Sequence, residues 1–142
     1  MTRERDSLGR PLPSGDPRAV PGVDPTLVLD NDAVAWSLVC DHLAADRPFH
    51  AHEVAELRWR QCTTGDSGSS REAWRAVAQW GAALTHAARG NDVGATRLAQ
   101  RALMTLDSAP HVPAEIDIDQ VRASCAALLG DVAGAGVDAT GE

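Results

Sequence analysis

The sequence predicts an all-α fold, a single compact bundle of about five helices built from two helical hairpins and a C-terminal helix. First, 142 residues is the usual length of one domain with one core. Second, apolar residues make up 44% of a chain that has one Phe and no Tyr, so alanine, the strongest helix former, supplies much of that fraction. Third, apolar residues recur at helical spacing, and no segment alternates as a strand does.

The charge and the cysteines of the chain limit its partners and its compartment. A formal net charge of -7 provides none of the concentrated positive field that phosphate binding needs, so neither nucleic acid nor an anionic membrane is expected as a partner. No apolar run approaches the ~20 residues of a membrane span. Cys40, Cys62 and Cys125 show no C-x-x-C spacing and are typical of reduced thiols in a cytoplasmic protein.

Composition divides the chain into three regions. Residues 1–29 hold five of the eight prolines and three glycines, which predicts an extended arm. Residues 30–130 carry the helical pattern and are expected to form the bundle domain. Residues 131–142 are rich in glycine and alanine, and we expect them to form a flexible tail.

The first helical hairpin is predicted from its caps and from a proline. Asp and Asn residues precede an apolar helical pattern, so helix one is expected from Asp32 to about Ala45. Pro48 suits the first turn of a helix, and it disfavours helical backbone at the residue before it. Helix two is therefore expected to begin at Pro48 and to end near Gln61.

The second hairpin begins after a turn-rich loop, Thr63 to Ser70. The last serines of this loop can cap helix three, which is predicted from Ser70 to about Arg89. Gly90 is suited to the left-handed residue that ends many helices. Asn91 or Asp92 then caps helix four.

The C-terminal helix is separated from helix four by prolines. Pro110 and Pro113 close helix four because proline does not continue a helix. A fifth helix is expected from about Ile116 to Leu129, with a weaker apolar period than the others.

Polar side chains interrupt the apolar faces of helices two and three. On helix two, His52 and Glu56 are one turn apart and share a face, and Glu53 lies just beside them. Helix three carries a matching polar line along an otherwise apolar helix. Buried charges must pair if these two lines face each other. We therefore expect a structural network between helices two and three, called here the polar cluster: His52, Glu53, Glu56, Gln79, His86 and Arg89.

A metal site is the alternative interpretation of the same side chains. A zinc protease carries H-E-x-x-H, but here HEVAE places Glu56 where the second histidine belongs. His52, Glu56 and His86 could still bind a divalent ion such as zinc and leave a position open for water, with Glu53 as general base. This would make the protein a metal-binding protein or a metal-dependent hydrolase.

Two motifs resemble a known family. The stretches RPFHAHEVAELRW and AQWGAALTHAARGN are similar to the bacterial domain of unknown function 309 family, and SLGRPLP resembles its actinobacterial branch. The resemblance extends from Ser7 to about Leu106 and implies an all-helical bundle, but no activity. Ala55 and Trp80 depart from the commoner family pattern. The motif positions are occupied by His52, Glu53, Glu56, Trp59, Gln79, His86, Arg89, Gly90 and Asn91.

No complete catalytic motif accompanies the polar cluster, which favours a role without catalysis. The sequence therefore predicts a small cytoplasmic interaction or scaffold module that needs no cofactor. Its partner would be another protein, or a second copy of the chain bound through an alanine-rich face.

Overall fold

Five α-helices form in the part of the chain that the structure describes, as the sequence predicts. The computed structural model describes residues 4–29, 31–62 and 69–138. No strand forms in these residues, where two isolated bridges join Arg5 to Pro11 and to Val20. The helices are α1 Asp32–Ala44, α2 Pro48–Gln61, α3 Arg71–Ala88, α4 Asp92–Ser108 and α5 Ile118–Asp138.

Helix α3 lies at the centre of the bundle. It packs against α2 and α4, while α1 packs on α2, and α5 packs on α4 and reaches α3. Trp80 of α3 is buried and stacks on Trp36 of α1, with 6.1 Å between the ring centroids. The same indole donates a hydrogen bond from Nε1 to Ser124 Oγ of α5 at 2.7 Å. One large aromatic side chain thus ties two outer helices to an alanine-rich centre.

The observed helix bounds differ little from the prediction except at the C-terminus. Helix α2 has the predicted bounds, and α5 continues to Asp138 instead of ending near Leu129. The segment between Leu129 and Asp138 contains alanines and no proline. An established helix can therefore propagate through it. Residues 63–68, most of the predicted loop, and residues 139–142 lie outside the described residues. No helix in the described part of the chain is long and apolar enough to cross a membrane.

Helix ends confirm two predicted caps and overturn one. Asn31 and Asn91 each accept a hydrogen bond from the backbone amide three residues on, at 2.9 and 3.0 Å. Gly90 ends α3 with φ at 81°, the left-handed conformation that glycine adopts without strain. Ser70 precedes α3, but its side chain makes no capping hydrogen bond. Its own backbone is already helical, whereas an N-cap residue normally has extended backbone.

The N-terminal arm, residues 4–29, packs against the bundle. Leu12 and Leu29 are buried, and Leu29 belongs to the main core. The guanidinium of Arg5 lies 5.1 Å from the ring centroid of Phe49 in α2. A β-carbon on Gly9 would overlap the Phe49 ring, and Gly9 has φ at 78°. Only glycine fits this contact, because both the space and the backbone angle exclude a side chain.

Helices α2 and α3 cross at a very short distance. A β-carbon added to Gly81 of α3 would lie 2.8 Å from Cα of His52 and 3.0 Å from its backbone N. Backbone atoms of a packed helix do not move aside easily. The missing side chain at Gly81 therefore sets how closely His52 approaches α3.

Candidate functional site

His52 connects α2 to α3 through the backbone. Its Nδ1 lies 2.8 Å from the carbonyl oxygen of Ala78 and donates a hydrogen bond to it, and its Nε2 lies 3.2 Å from Glu56 Oε2. Glu56 also pairs with Arg60, one turn further along α2. The predicted pairing of His52 with Glu56 is present, but the contact with α3 uses a carbonyl oxygen instead of a side chain.

The polar side chains of α3 have other partners. His86 Nδ1 accepts a hydrogen bond from the Asn91 side-chain nitrogen at 2.9 Å, and Asn91 in turn caps α4. Arg89 Nε donates to the carbonyl oxygen of Leu8 in the arm at 3.0 Å. Gln79 Oε1 is buried and has no hydrogen-bond partner among the described residues. The polar side chains of α3 therefore do not meet the glutamates of α2.

The three proposed metal ligands are not assembled into one site. His52 and His86 line a shallow cavity of about 160 Å³ together with Phe49 and Arg89, and Glu56 does not line it. Among the described side chains of residues 4–29, 31–62 and 69–130, no group of three or more His, Cys, Asp or Glu residues is placed to hold a metal ion. Glu53, the proposed general base, instead lines two cavities beside the arm.

A buried ion pair that the sequence did not indicate joins four parts of the structure. Arg58 Nη2 lies 2.9 Å from Asp32 Oδ1, and the two side chains are 7% and 17% exposed. Trp74 Nε1 donates to the same Asp32 oxygen at 2.7 Å, and Arg58 Nη1 donates to the carbonyl oxygen of Leu29 at 2.7 Å. This Arg58 network links α2, α1, α3 and the end of the arm. Asp32 is 26 residues from Arg58 and 42 from Trp74, so helical spacing gives no sign of the network.

The arm is held mainly through its backbone. Gln61 both donates to the Leu27 carbonyl oxygen at 2.8 Å and accepts from the Leu29 amide at 2.9 Å. Such bonds satisfy the backbone of a segment that has no regular structure of its own. Four bundle side chains thus donate to four carbonyl oxygens of the arm: Arg89 to Leu8, His50 to Pro21, Gln61 to Leu27 and Arg58 to Leu29.

Two histidines stack where α1 meets α2. The ring of His50 is buried and lies 5.4 Å from that of His42, measured between centroids. Burial, followed by the nearby charges of His50 and Arg47, lowers the pKa of His42 below its ordinary value. The neutral imidazole is the form that this position favours.

The different roles of the cluster histidines predict different effects on stability. His52→Ala should lower the free energy of unfolding by about 1–2 kcal/mol, because the helix-to-helix hydrogen bond is lost. His86→Ala, which removes only a contact next to a helix cap, should change it by less than about 0.5 kcal/mol. Urea denaturation followed by circular dichroism measures both.

His52→Asn is the matched control, since its amide nitrogen can replace Nδ1 as donor to Ala78. This variant should recover part of the stability lost in His52→Ala. If His52→Ala and His86→Ala lower the free energy of unfolding by equal amounts, the two histidines do not have the different roles assigned to them.

Comparison with known families identifies the central part of the chain. The family described as Domain of unknown function (DUF309) has a model that matches residues 36–98, a segment that runs from α1 into α4 and contains the whole polar cluster. No curated protein and no solved structure gives a significant match. The resemblance predicted from the two motifs is confirmed over this segment, in which residues 36–98 match the model of the DUF309 family.

Proposed function

We propose that the protein is a helical interaction module of the cytoplasm, in which the polar cluster stabilises the fold and an exposed helix face binds a protein partner. Three side chains of the polar cluster that could take part in catalysis form hydrogen bonds within the chain. His52 donates to the backbone of α3, His86 accepts from Asn91, and Arg89 donates to the arm. Hydrogen bonds of this kind hold elements together, which supports a structural role for the polar cluster.

The observation that carries the proposal is the outer face of α4, formed by Val93, Arg97, Gln100 and Met104. Positions at these spacings lie within an arc of about 60° and extend over about 16 Å of helix. Val93 is 69% exposed and Met104 is 70% exposed, and the opposite side of α4 is buried in the core. An apolar patch with a polar rim is a feature of surfaces that bind other proteins, and Val93 and Met104 supply the apolar side chains of such a surface on the outer face of α4.

The chemistry of the outer face indicates what would bind to it. Val93 and Met104 would contact apolar side chains of the partner, and Met adapts its shape to different neighbours. Arg97 lies between them and would pair with a carboxylate or donate to backbone carbonyl oxygens. A second copy of this acidic chain, with net charge -7, or another acidic protein meets these conditions. Nucleic acid and anionic membrane lipid are poor candidates for a partner, because the net negative charge of the chain repels them.

The cytoplasmic location is supported by the cysteines. Cys40, Cys62 and Cys125 are free thiols, and burial raises the pKa of the Cys125 thiol to about 11. Thiols of this kind persist in a reducing compartment and contribute as small apolar side chains.

The proposal assigns no metal to His52, Glu56 and His86. Mass spectrometry of untagged protein measures bound metal directly. About one metal ion per chain that is lost in both His52→Ala and Glu56→Ala would contradict a purely structural role for the cluster.

Photocrosslinking in living cells tests the interaction. We expect benzoylphenylalanine at position 93 or 104 to give a discrete crosslinked product. Position 28 is the matched control, because Val28 is also 69% exposed but lies on the arm. Light scattering of the purified protein then distinguishes a second copy from a different partner. A strictly monomeric protein with no product specific to positions 93 and 104 would show that the outer face of α4 is not a binding surface.

A further inference from the structure

The shallow cavity between α2 and α3, called here the cluster cavity, is a candidate site distinct from the outer face of α4. Its described walls are formed by Phe49, His52, Ala82, Thr85, His86 and Arg89. The volume of about 160 Å³ is well below the ~300–1,000 Å³ of drug-sized ligand sites, so it accepts only a small ligand or the end of a larger one. None of the described wall residues is acidic. Both ring nitrogens of His52 and the hydroxyl of Thr85 already have partners, so free donors must come from the other walls.

His86 provides a free hydrogen-bond donor at Nε2. Its Nδ1 lies 2.9 Å from the side-chain nitrogen of Asn91, and that nitrogen is identified because the Asn91 oxygen accepts from the Gly94 amide at 3.0 Å. Since an amide nitrogen only donates, Nδ1 accepts, and the hydrogen of the neutral ring is on Nε2. Nε2 has no hydrogen-bond partner among the described residues and is not one of their buried unpartnered atoms. It is therefore open to solvent and able to donate to a ligand.

The orientation of the His86 ring agrees with a donor that faces the cluster cavity. A β-carbon on Gly94 would lie 2.8 Å from His86 Nδ1 and 3.0 Å from its Cγ, so this edge of the ring is turned toward α4. Nε2 is the ring atom opposite the Nδ1–Cγ bond and points away from α4. The described walls of the cavity belong to α2 and α3 and not to α4. Nε2 is thus on the side of the ring that the cavity requires.

Arg89 adds a positive charge and further donors to the cluster cavity. Its Nε donates to the Leu8 carbonyl oxygen at 3.0 Å, which holds the guanidinium between α3 and the arm. Its two Nη atoms have no acceptor among the described residues, and no described carboxylate forms an ion pair with Arg89. A guanidinium presents its N–H groups as a planar fork that matches the two oxygens of a carboxylate. The cavity therefore has one held cation that lacks an anionic partner.

We propose that the cluster cavity binds a carboxylate that carries a short apolar group. The carboxylate would accept from the Nη atoms of Arg89 and from Nε2 of His86. Its apolar group would contact Phe49 and Ala82. Both donor side chains are already held by other hydrogen bonds, so binding them costs little conformational entropy. A single negative charge suits the cavity better than phosphate does, because the net charge of -7 opposes multivalent anions.

Titration of the full chain with sodium propionate tests the proposal. Calorimetry measures the affinity, and nitrogen-15 spectra of the histidine rings report on His86. We expect saturable binding of propionate that moves the His86 Nε2 resonance. Propionamide, which has nearly the same shape without the charge, and inorganic phosphate should each bind at least about tenfold more weakly. No saturable binding of propionate or of a peptide carboxylate, or equal binding of propionamide or phosphate, would overturn the proposal.

The carboxylate can come from a small free acid or from the C-terminus of a peptide, and a second probe distinguishes these sources. N-acetyl-alanyl-alanine has a free C-terminal carboxylate beside a methyl group. Tighter binding of this peptide than of propionate would identify a peptide C-terminus as the ligand, since only the end of the peptide has to enter the cavity. Tighter binding of propionate would identify a free acid.

His86→Ala removes the Nε2 donor and should weaken carboxylate binding by about tenfold or more, although it is expected to change stability little. His111→Ala is the matched control, because His111 is exposed and is not a wall of the cavity, and it should leave binding unchanged. Ala82→Leu provides a second route, since it fills part of the cavity without touching a charged group. Unchanged binding in both His86→Ala and Ala82→Leu would place the ligand elsewhere and overturn the proposal.

Discussion

Asp32→Ala is expected to lower the free energy of unfolding by about 3–5 kcal/mol, the typical result of removing one partner from a buried ion pair. The variant leaves the Arg58 guanidinium, whose side chain is 7% exposed, without its carboxylate. It also leaves the Trp74 Nε1–H without its acceptor, and an unpaired buried donor adds to the loss. Urea denaturation followed by tryptophan fluorescence and by circular dichroism measures the effect.

Two further variants distinguish a buried network from a general effect of charge. The double variant Asp32→Ala with Arg58→Met should lose less stability than the sum of the two single variants, because no buried charge remains unpaired. Asp107→Ala, which breaks an exposed ion pair with Arg122, should change stability by less than about 1 kcal/mol. A loss in Asp32→Ala no larger than that in Asp107→Ala would contradict the importance of the Arg58 network.

Gly81→Ala is expected to lower the free energy of unfolding by about 1–3 kcal/mol, the usual effect of overfilling a packed interface. The new β-carbon would lie 2.8 Å from Cα of His52, so α2 and α3 would have to move apart. That movement would also lengthen the hydrogen bond from His52 to Ala78, which is 2.8 Å in the native protein. Thermal and urea denaturation measure the loss.

Gly130→Ala is the matched control within α5. A β-carbon at Gly130 has no neighbouring atom within 4 Å, and the residue is exposed. Alanine is favoured over glycine in a helix by about 1 kcal/mol, so this variant should be more stable than the native protein. Replacing glycine by alanine is thus expected to lower the stability of the protein at position 81 and to raise it at position 130. Stabilisation by Gly81→Ala would refute the close helix crossing.

The helices could be predicted because their signals are local. Pro48 and Asn31 act on the residues next to them, so the bounds of α2 and the start of α1 follow from a few neighbouring residues. The apolar period then indicates which faces of α3 and α4 are buried. The end of α5 was misplaced because a Gly/Ala-rich stretch is compatible with either a helix or a loose tail.

The partners of the polar side chains could not be predicted in the same way. Helical spacing placed His52 and Arg89 on faces that meet other elements, but it does not reveal a backbone carbonyl as the acceptor. Those carbonyls belong to α3 and to the arm, and the path of the arm follows no period. Likewise, Asp32 is 26 residues from Arg58 and 42 residues from Trp74. A network between such distant positions depends on the tertiary packing itself.

The way in which the arm is held has a consequence for how its sequence can change over time. Four bundle side chains donate to carbonyl oxygens of the arm, and every amino acid provides a carbonyl oxygen. Substitutions at Leu8, Pro21 or Leu27 leave these acceptors in place as long as the backbone keeps its path. The donors on the bundle have no such freedom, and neither does Gly9 beside Phe49. Related chains could therefore differ widely along the arm and still fold it onto the same surface.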